Sequence, residues 1–94
     1  MREMTPAALR AAGHVLFGDE ATRAMARALG ASHPGGARDM IDDSLVRKWL
    51  RGARPVPAWV APAVADLLDA EADATVARAA LCRGLARDLR LDAA

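Results

Sequence analysis

Aromatic side chains are scarce in this 94-residue chain, at 3%, with two Trp, one Phe and no Tyr. With so few of them, the core must come from Leu, Val, Ile, Met, Ala and the two Trp. The chain is therefore one small domain with a thin core, for which oligomerisation is a reasonable expectation. Cysteine is limited to Cys82, which excludes an intramolecular disulfide. No cluster of Cys and His has the spacing of a metal site, so neither a metal nor a cofactor is expected. A signal peptide and any run of about 20 apolar residues are also missing, which points to a soluble, cytoplasmic chain with no membrane partner. No nucleophile and base, phosphate loop or metal cluster is present, which argues against an enzyme. Nothing suggests a small-molecule ligand domain.

Charge of one sign is not in excess either, since the formal net charge is +1. Its distribution is more telling. Residues 44–54 hold Arg47, Lys48, Arg51 and Arg54 with no acid, and residues 66–73 hold Asp66, Asp69, Glu71 and Asp73 with no base. Such a basic cluster is by itself equally a solvated helix face.

Helical punctuation runs through the chain. Thr5-Pro6 reads as an N-cap followed by Pro at the first helical position, and Leu9, Ala12, Gly13, Leu16 and Phe17 share the face of a first helix that Gly18 ends. Asp19 is placed to cap a second helix and to pair with Arg23, with Ala21, Ala24, Met25, Ala28 and Leu29 as its stripe and Gly30 as its stop. Pro34-Gly35-Gly36 makes residues 31–40 a loop. Asp42 or Asp39 then caps a third helix running to Arg51, in which Ile41, Leu45, Val46, Trp49 and Leu50 pack. Gly52 suits the left-handed residue beyond a helix end, and Pro55 cannot continue that helix. A fourth helix from about Pro57 carries Val60, Val64, Leu67 and Leu68 inward. Pro62 requires it either to start late or to kink. Beyond Asp69 the chain is Ala-rich with no Gly or Pro between Ala63 and Arg83, and either one long helix or a fifth helix capped by Asp73 fits. His14, with no ligand partner at metal spacing, reads as a structural histidine. Cys82, beside Leu81 and Leu85, reads as a small buried hydrophobe.

Met4-Thr5-Pro6, Ala26-Arg27-Ala28-Leu29-Gly30 and the run Val46-Arg47-Lys48-Trp49 with Gly52, Pro55 and Pro57 together resemble the lambda-repressor-like helix-turn-helix domains of the Xre/Cro family. The resemblance covers about two thirds of the chain and is most specific from Trp49 to Pro57. It implies an all-α fold of four or five helices. Residues 4–72 would form the helix-turn-helix domain and residues 73–94 a helical C-terminal extension. The partner it implies is double-stranded DNA, bound by a homodimer acting as a transcriptional regulator of phage or bacterial type, most often a repressor that occludes polymerase. The chain departs from the family pattern by inserting about ten residues where the motif has a tight turn.

On that resemblance Arg47 is the leading base reader, because its guanidinium matches guanine O6 and N7 in a fork. Ser44 is a weaker candidate. An aspartate here can accept from cytosine N4 or cap the helix N-terminus; Asp42 is favoured as the cap and Asp43 is left open between the two. Lys48, Arg51 and Arg54 fall to phosphate contacts, which position without reading sequence. The insertion is either a plain surface loop or reaches the DNA backbone through His33 and Arg38. In the tail, Leu81, Leu85 and Leu89 with Cys82 make an apolar face, and Arg83, Arg87 and Arg90 a same-sign stripe. Both are expected to be satisfied by a dimer interface in which a partner helix brings its acids to these arginines. A rival reading keeps the fold and drops the DNA: a protein-interaction module such as an antitoxin or a phage adaptor, supported by Asp42, Asp43 and the low net charge.

Overall fold

A computed structural model describes residues 4–93. Residues 1–3 and residue 94, which closes the expected tail, lie outside the described residues. The described residues form four helices and no strand: α1 (Pro6–Phe17), α2 (Ala21–Gly30), α3 (Asp43–Leu50) and α4 (Val60–Ala93).

Local chemistry sets most helix ends. Thr5 Oγ1 accepts from the Ala8 N–H at 3.1 Å at the start of α1, and Pro6 occupies its first turn. Gly18, at φ 78°, stops α1 and donates its N–H to the His14 carbonyl at 2.9 Å. The start of α2 differs from expectation. Glu20, with no side-chain cap bond, precedes Ala21, and Asp19 stands 3.4 Å from His14 Nδ1 with no ion pair to Arg23. Asp19 lies one residue outside the cap position, which leaves its carboxylate on the α1 side of the turn.

α4 begins three residues after Pro57. Residues 57–59 form a turn closed by the Val60 N–H on the Pro57 carbonyl at 3.1 Å. Pro62 then falls in the first turn of the helix, where its missing N–H has no intrahelical partner to lose, so the late start replaces a kink. From Val60 the helix runs unbroken to Ala93, so there is no fifth helix.

The core is built by the first two thirds of the chain. Leu9, Met25, Leu29, Val46, Trp49, Val60 and Val64 are its fully buried large side chains, and Leu67 and Leu68 are the last residues of α4 to pack on it. Gly13 lets α1 and α2 approach closely, since a Cβ there would stand 2.9 Å from Met25 Cε. Beyond Leu68, α4 leaves the head as a free helix about 36 Å long from Asp69 to Ala93 at the standard rise, in keeping with a longest dimension of 59 Å.

The insertion between α2 and α3 is folded onto α2. The Arg38 N–H donates to the Gly30 carbonyl at 2.9 Å and the Ile41 N–H to the Ala26 carbonyl at 3.0 Å, and Ile41 is buried. The Arg38 bond thereby satisfies the Gly30 carbonyl, which the end of α2 leaves without a helical donor. Its outer turn is held by the Gly35 N–H donating to His33 Nδ1 at 3.0 Å. The His33 ring meets Trp59 edge-on with centroids 5.6 Å apart, and Trp59 meets Trp49 in the same manner at 6.3 Å.

Candidate nucleic-acid interface

α3 is amphipathic in a way that fixes which side chains it can offer. Val46 and Trp49 are buried on its inner side, Leu45 and Leu50 pack beside them, and Arg47 is exposed. Burial of the inner face orients the helix, and Arg47 is carried outward by the 100° step from Val46. Asp43, Ser44 and Lys48 are half-buried; Arg51 and Arg54 are exposed in the segment that follows.

Asp42 caps this helix. Its carboxylate accepts from the Ser44 N–H at 2.9 Å. Hydrogen bonding by Ser44, followed by the nearby charges of Lys48 and Arg47, holds the Asp42 carboxyl below its ordinary value of 3.8. Asp42 is thus occupied in capping, as the sequence suggests, and Asp39 is not its substitute.

The far end of α3 closes in a Schellman motif. Gly52, at φ 75°, donates its N–H to the Trp49 carbonyl at 3.1 Å, and Ala53 donates to the Lys48 carbonyl at 2.9 Å. Arg10 of α1 adds a contact that no local signal announces: its Nη1 donates to the Leu50 carbonyl at 2.6 Å, forty residues away in sequence. Together these bonds fix the stretch from Lys48 to Arg54, so the cations at the end of α3 ride on a defined backbone.

The surroundings of Arg47 are less basic than the sequence of α3 alone indicates. Arg47 and Asp43 line one shallow depression with Asp19, Glu20, Thr22 and Arg23 from the start of α2. Three acidic and two basic residues therefore line this depression. The residues from α2 are the ones that reading α3 by itself misses, because only the packing of α2 on α3 brings them together.

His33 and Arg38 are brought near one another. A Cβ on Gly35 would lie 3.1 Å from the His33 ring and 3.6 Å from Arg38 Nη2. His33 is half-buried, with Nδ1 engaged by Gly35 and its ring on Trp59, whereas Arg38 is exposed. Trp59, expected in the core with Trp49 but not at this loop, is what anchors this corner.

On the tail, Leu81 and Leu85 line one groove of the helix surface with Ala77, Ala80, Gly84 and Asp88. Arg83 and Arg87 line another with Cys82, Ala86, Arg90 and Leu91. The leucines and arginines of the expected interface thus occupy different faces of α4. Leu81, Leu85 and Leu89 are each more than 60% exposed, and Cys82 is exposed as well rather than buried, because this part of α4 lies beyond the core.

Among the described residues no group of His, Cys, Asp and Glu could hold a metal ion, and no helix is long and apolar enough to cross a membrane. In comparisons with known proteins, no family model matches the chain, and no curated protein and no solved structure shows significant similarity to it.

Proposed function

We propose that this chain is a sequence-specific duplex-DNA-binding regulator of the lambda-repressor-like helix-turn-helix type, with α3 as the recognition helix and α2 as its support. The observation that carries the reading is the placement of Arg47 on the outer side of a short helix whose inner side is locked by Val46 and Trp49. An exposed guanidinium on an anchored helix has the reach and rigidity to fork onto a guanine edge in the major groove. Lys48, Arg51 and Arg54, at and beyond the Schellman turn, supply phosphate contacts that fix register. Repression follows by occlusion: a protein bound across successive major grooves denies the site to polymerase. The proposal includes no catalytic step.

One observation favours a second reading. Asp19, Glu20 and Asp43 line one depression with Arg47, and carboxylates repel a phosphate backbone. A surface of alternating sign suits a protein partner of matching pattern, which is the interaction-module alternative. Titrating binding to random duplex DNA against salt separates the two. A DNA-binding protein shows log affinity falling linearly with log salt, with a slope near −0.9 for each phosphate neutralised. No measurable binding at low salt, to random or selected duplexes, removes the DNA reading and leaves the second.

A further inference from the structure

The face of α4 that Val60, Ala63, Val64 and Leu67 present to the core does not end where the head ends. At the 3.5-residue spacing of a heptad, the line through Val60, Ala63 and Leu67 continues through Ala70, Ala74, Ala77 and Leu81, with Leu85 beside it, to Asp88, turning about 80° around the helix on the way. Beyond Leu68 nothing among the described residues covers it. We infer that a second copy of this chain covers it, the two α4 tails packing antiparallel about a centre near Leu81. The pairing itself does not depend on DNA binding; only its consequence for operator spacing rests on that reading.

Shape argues for a helix of this kind as the occupant. The groove formed by Ala77, Ala80, Leu81, Gly84, Leu85 and Asp88 is floored by small residues and walled by leucines. In an antiparallel pair centred at Leu81, position n faces position 162 − n. Leu81 then meets Leu81 of the second copy, and on either side of that centre Leu85 seats over Ala77 and Asp88 comes level with Ala74, larger side chains facing small ones.

Charge fixes the direction. Asp69, Asp73 and Arg87 fall within a sector of about 40° on one flank of the tail stripe, while Glu71 and Arg78 lie on the other and Arg83 and Arg90 point away from it. The acids come first along that flank and Arg87 last. In an antiparallel pair like flanks face each other, so Asp73 of one copy comes level with Arg87 of the other. A parallel pair in register instead sets acids beside acids and arginines beside arginines. These pairs are solvated and contribute mainly to orientation, whereas burial of the leucines drives association.

Two heads joined in this way stand at opposite ends of a two-helix rod, their Leu68 positions about 39 Å apart along it. That is close to the 34–36 Å, about one helical turn, that separates successive major grooves on one face of DNA.

The test uses the full chain. Sedimentation across the micromolar range should show a reversible dimer, and Leu81→Glu with Leu85→Glu should raise its dissociation constant at least about a hundredfold. Both leucines are exposed and distant from the core, so unchanged tryptophan fluorescence confirms that the head of the variant is folded. Orientation is read from spin labels on an Asp92→Cys, Cys82→Ser variant. The antiparallel dimer separates the two labelled positions by about 33 Å along the axis, and a parallel one holds them within about 10 Å. A chain that is monomeric at the highest concentration, a dimer indifferent to the two glutamates, or a short label distance each overturns the inference. DNA binding is scored separately. A monomeric variant that still binds a half-site leaves the DNA reading intact, and a normal dimer with no affinity for DNA leaves the tail pairing intact.

Discussion

Gly30 lies so close under the backbone of Arg38 that a Cβ on it would stand 2.5 Å from the Arg38 carbonyl oxygen and 2.9 Å from Met40 Cα. Neither atom is the end of a flexible side chain, so the loop must move to admit a methyl group. Alanine in place of glycine in a helix ordinarily stabilises by about 0.5–1 kcal/mol. Here the sign reverses. Gly30→Ala should lower stability by about 1–3 kcal/mol in urea titrations, the cost of overpacking, and should release the Arg38 and Ile41 amides to faster hydrogen exchange. A stabilised variant would show that the insertion yields freely and is not seated on α2.

Trp49 and Trp59 meet at 6.3 Å but carry different loads. Trp49 is 1% exposed at the centre of the core, and Trp59 is half-buried between it and His33. Trp49→Ala should destabilise by about 3–5 kcal/mol, enough to unfold a domain of this size. Trp59→Ala should leave the head folded while freeing the His33 turn, visible as lost protection of the Gly35 amide. Equal melting temperatures for the two variants would contradict this division.

Much of the frame was legible because it is local. Thr5-Pro6, Gly18, Asp42 and Gly52 act through hydrogen bonds spanning a few residues, and each does what its type and spacing predict. The tail was legible as two alternatives, and the absence of a breaker between Ala63 and Arg83 resolves to a single helix. Contacts between distant segments were not legible. The seating of the insertion on Gly30, the bond from Arg10 to Leu50 and the anchoring of His33 by Trp59 depend on how the helices pack. The candidate surface was half legible for the same reason. The cations of α3 and its exit are a run in sequence, but the acids Asp19 and Glu20 reach Arg47 only through α2.

The cap on α3 makes a pH prediction. The carboxyl of Asp42 is held below its ordinary value of 3.8 by Ser44, with Lys48 and Arg47 adding to the effect. A depressed folded-state value means that the cap's contribution is fully present above 3.8 and is lost as pH falls through the lower folded value. Asp42→Asn keeps an oxygen to accept from Ser44 but does not titrate. The wild-type chain should therefore lose more stability than Asp42→Asn between pH 4 and pH 2, measured by thermal melts. Parallel acid profiles would show that the Asp42 charge does not contribute.

Arg47 and Arg54 should separate reading from holding. Arg47→Ala is expected to cost about 1–3 kcal/mol on a selected site and to relax preference at one base pair. Arg54→Ala should weaken all duplexes alike and make the salt slope shallower by about 0.9. If Arg47→Ala leaves selected and random duplexes unaffected, α3 does not enter the groove.

Every buried residue among those described lies between Leu9 and Val64, with Leu67 and Leu68 packing at the margin. Removing residues 74–94 should therefore leave the head intact, since no core contact and no helix cap of the head is lost. The full chain, if its tail pairs, gains stability from association by mass action, so its melting temperature should rise with protein concentration. The shortened chain lacks Leu81, Leu85 and Leu89, and its melting temperature should not depend on concentration. At high dilution, where the full chain has dissociated, the two melting curves should converge. If the shortened chain fails to fold even under those conditions, the tail stabilises the head directly and the head is not an independent unit. If it folds but still melts in a concentration-dependent way, the association surface lies within the head, on residues other than the tail leucines.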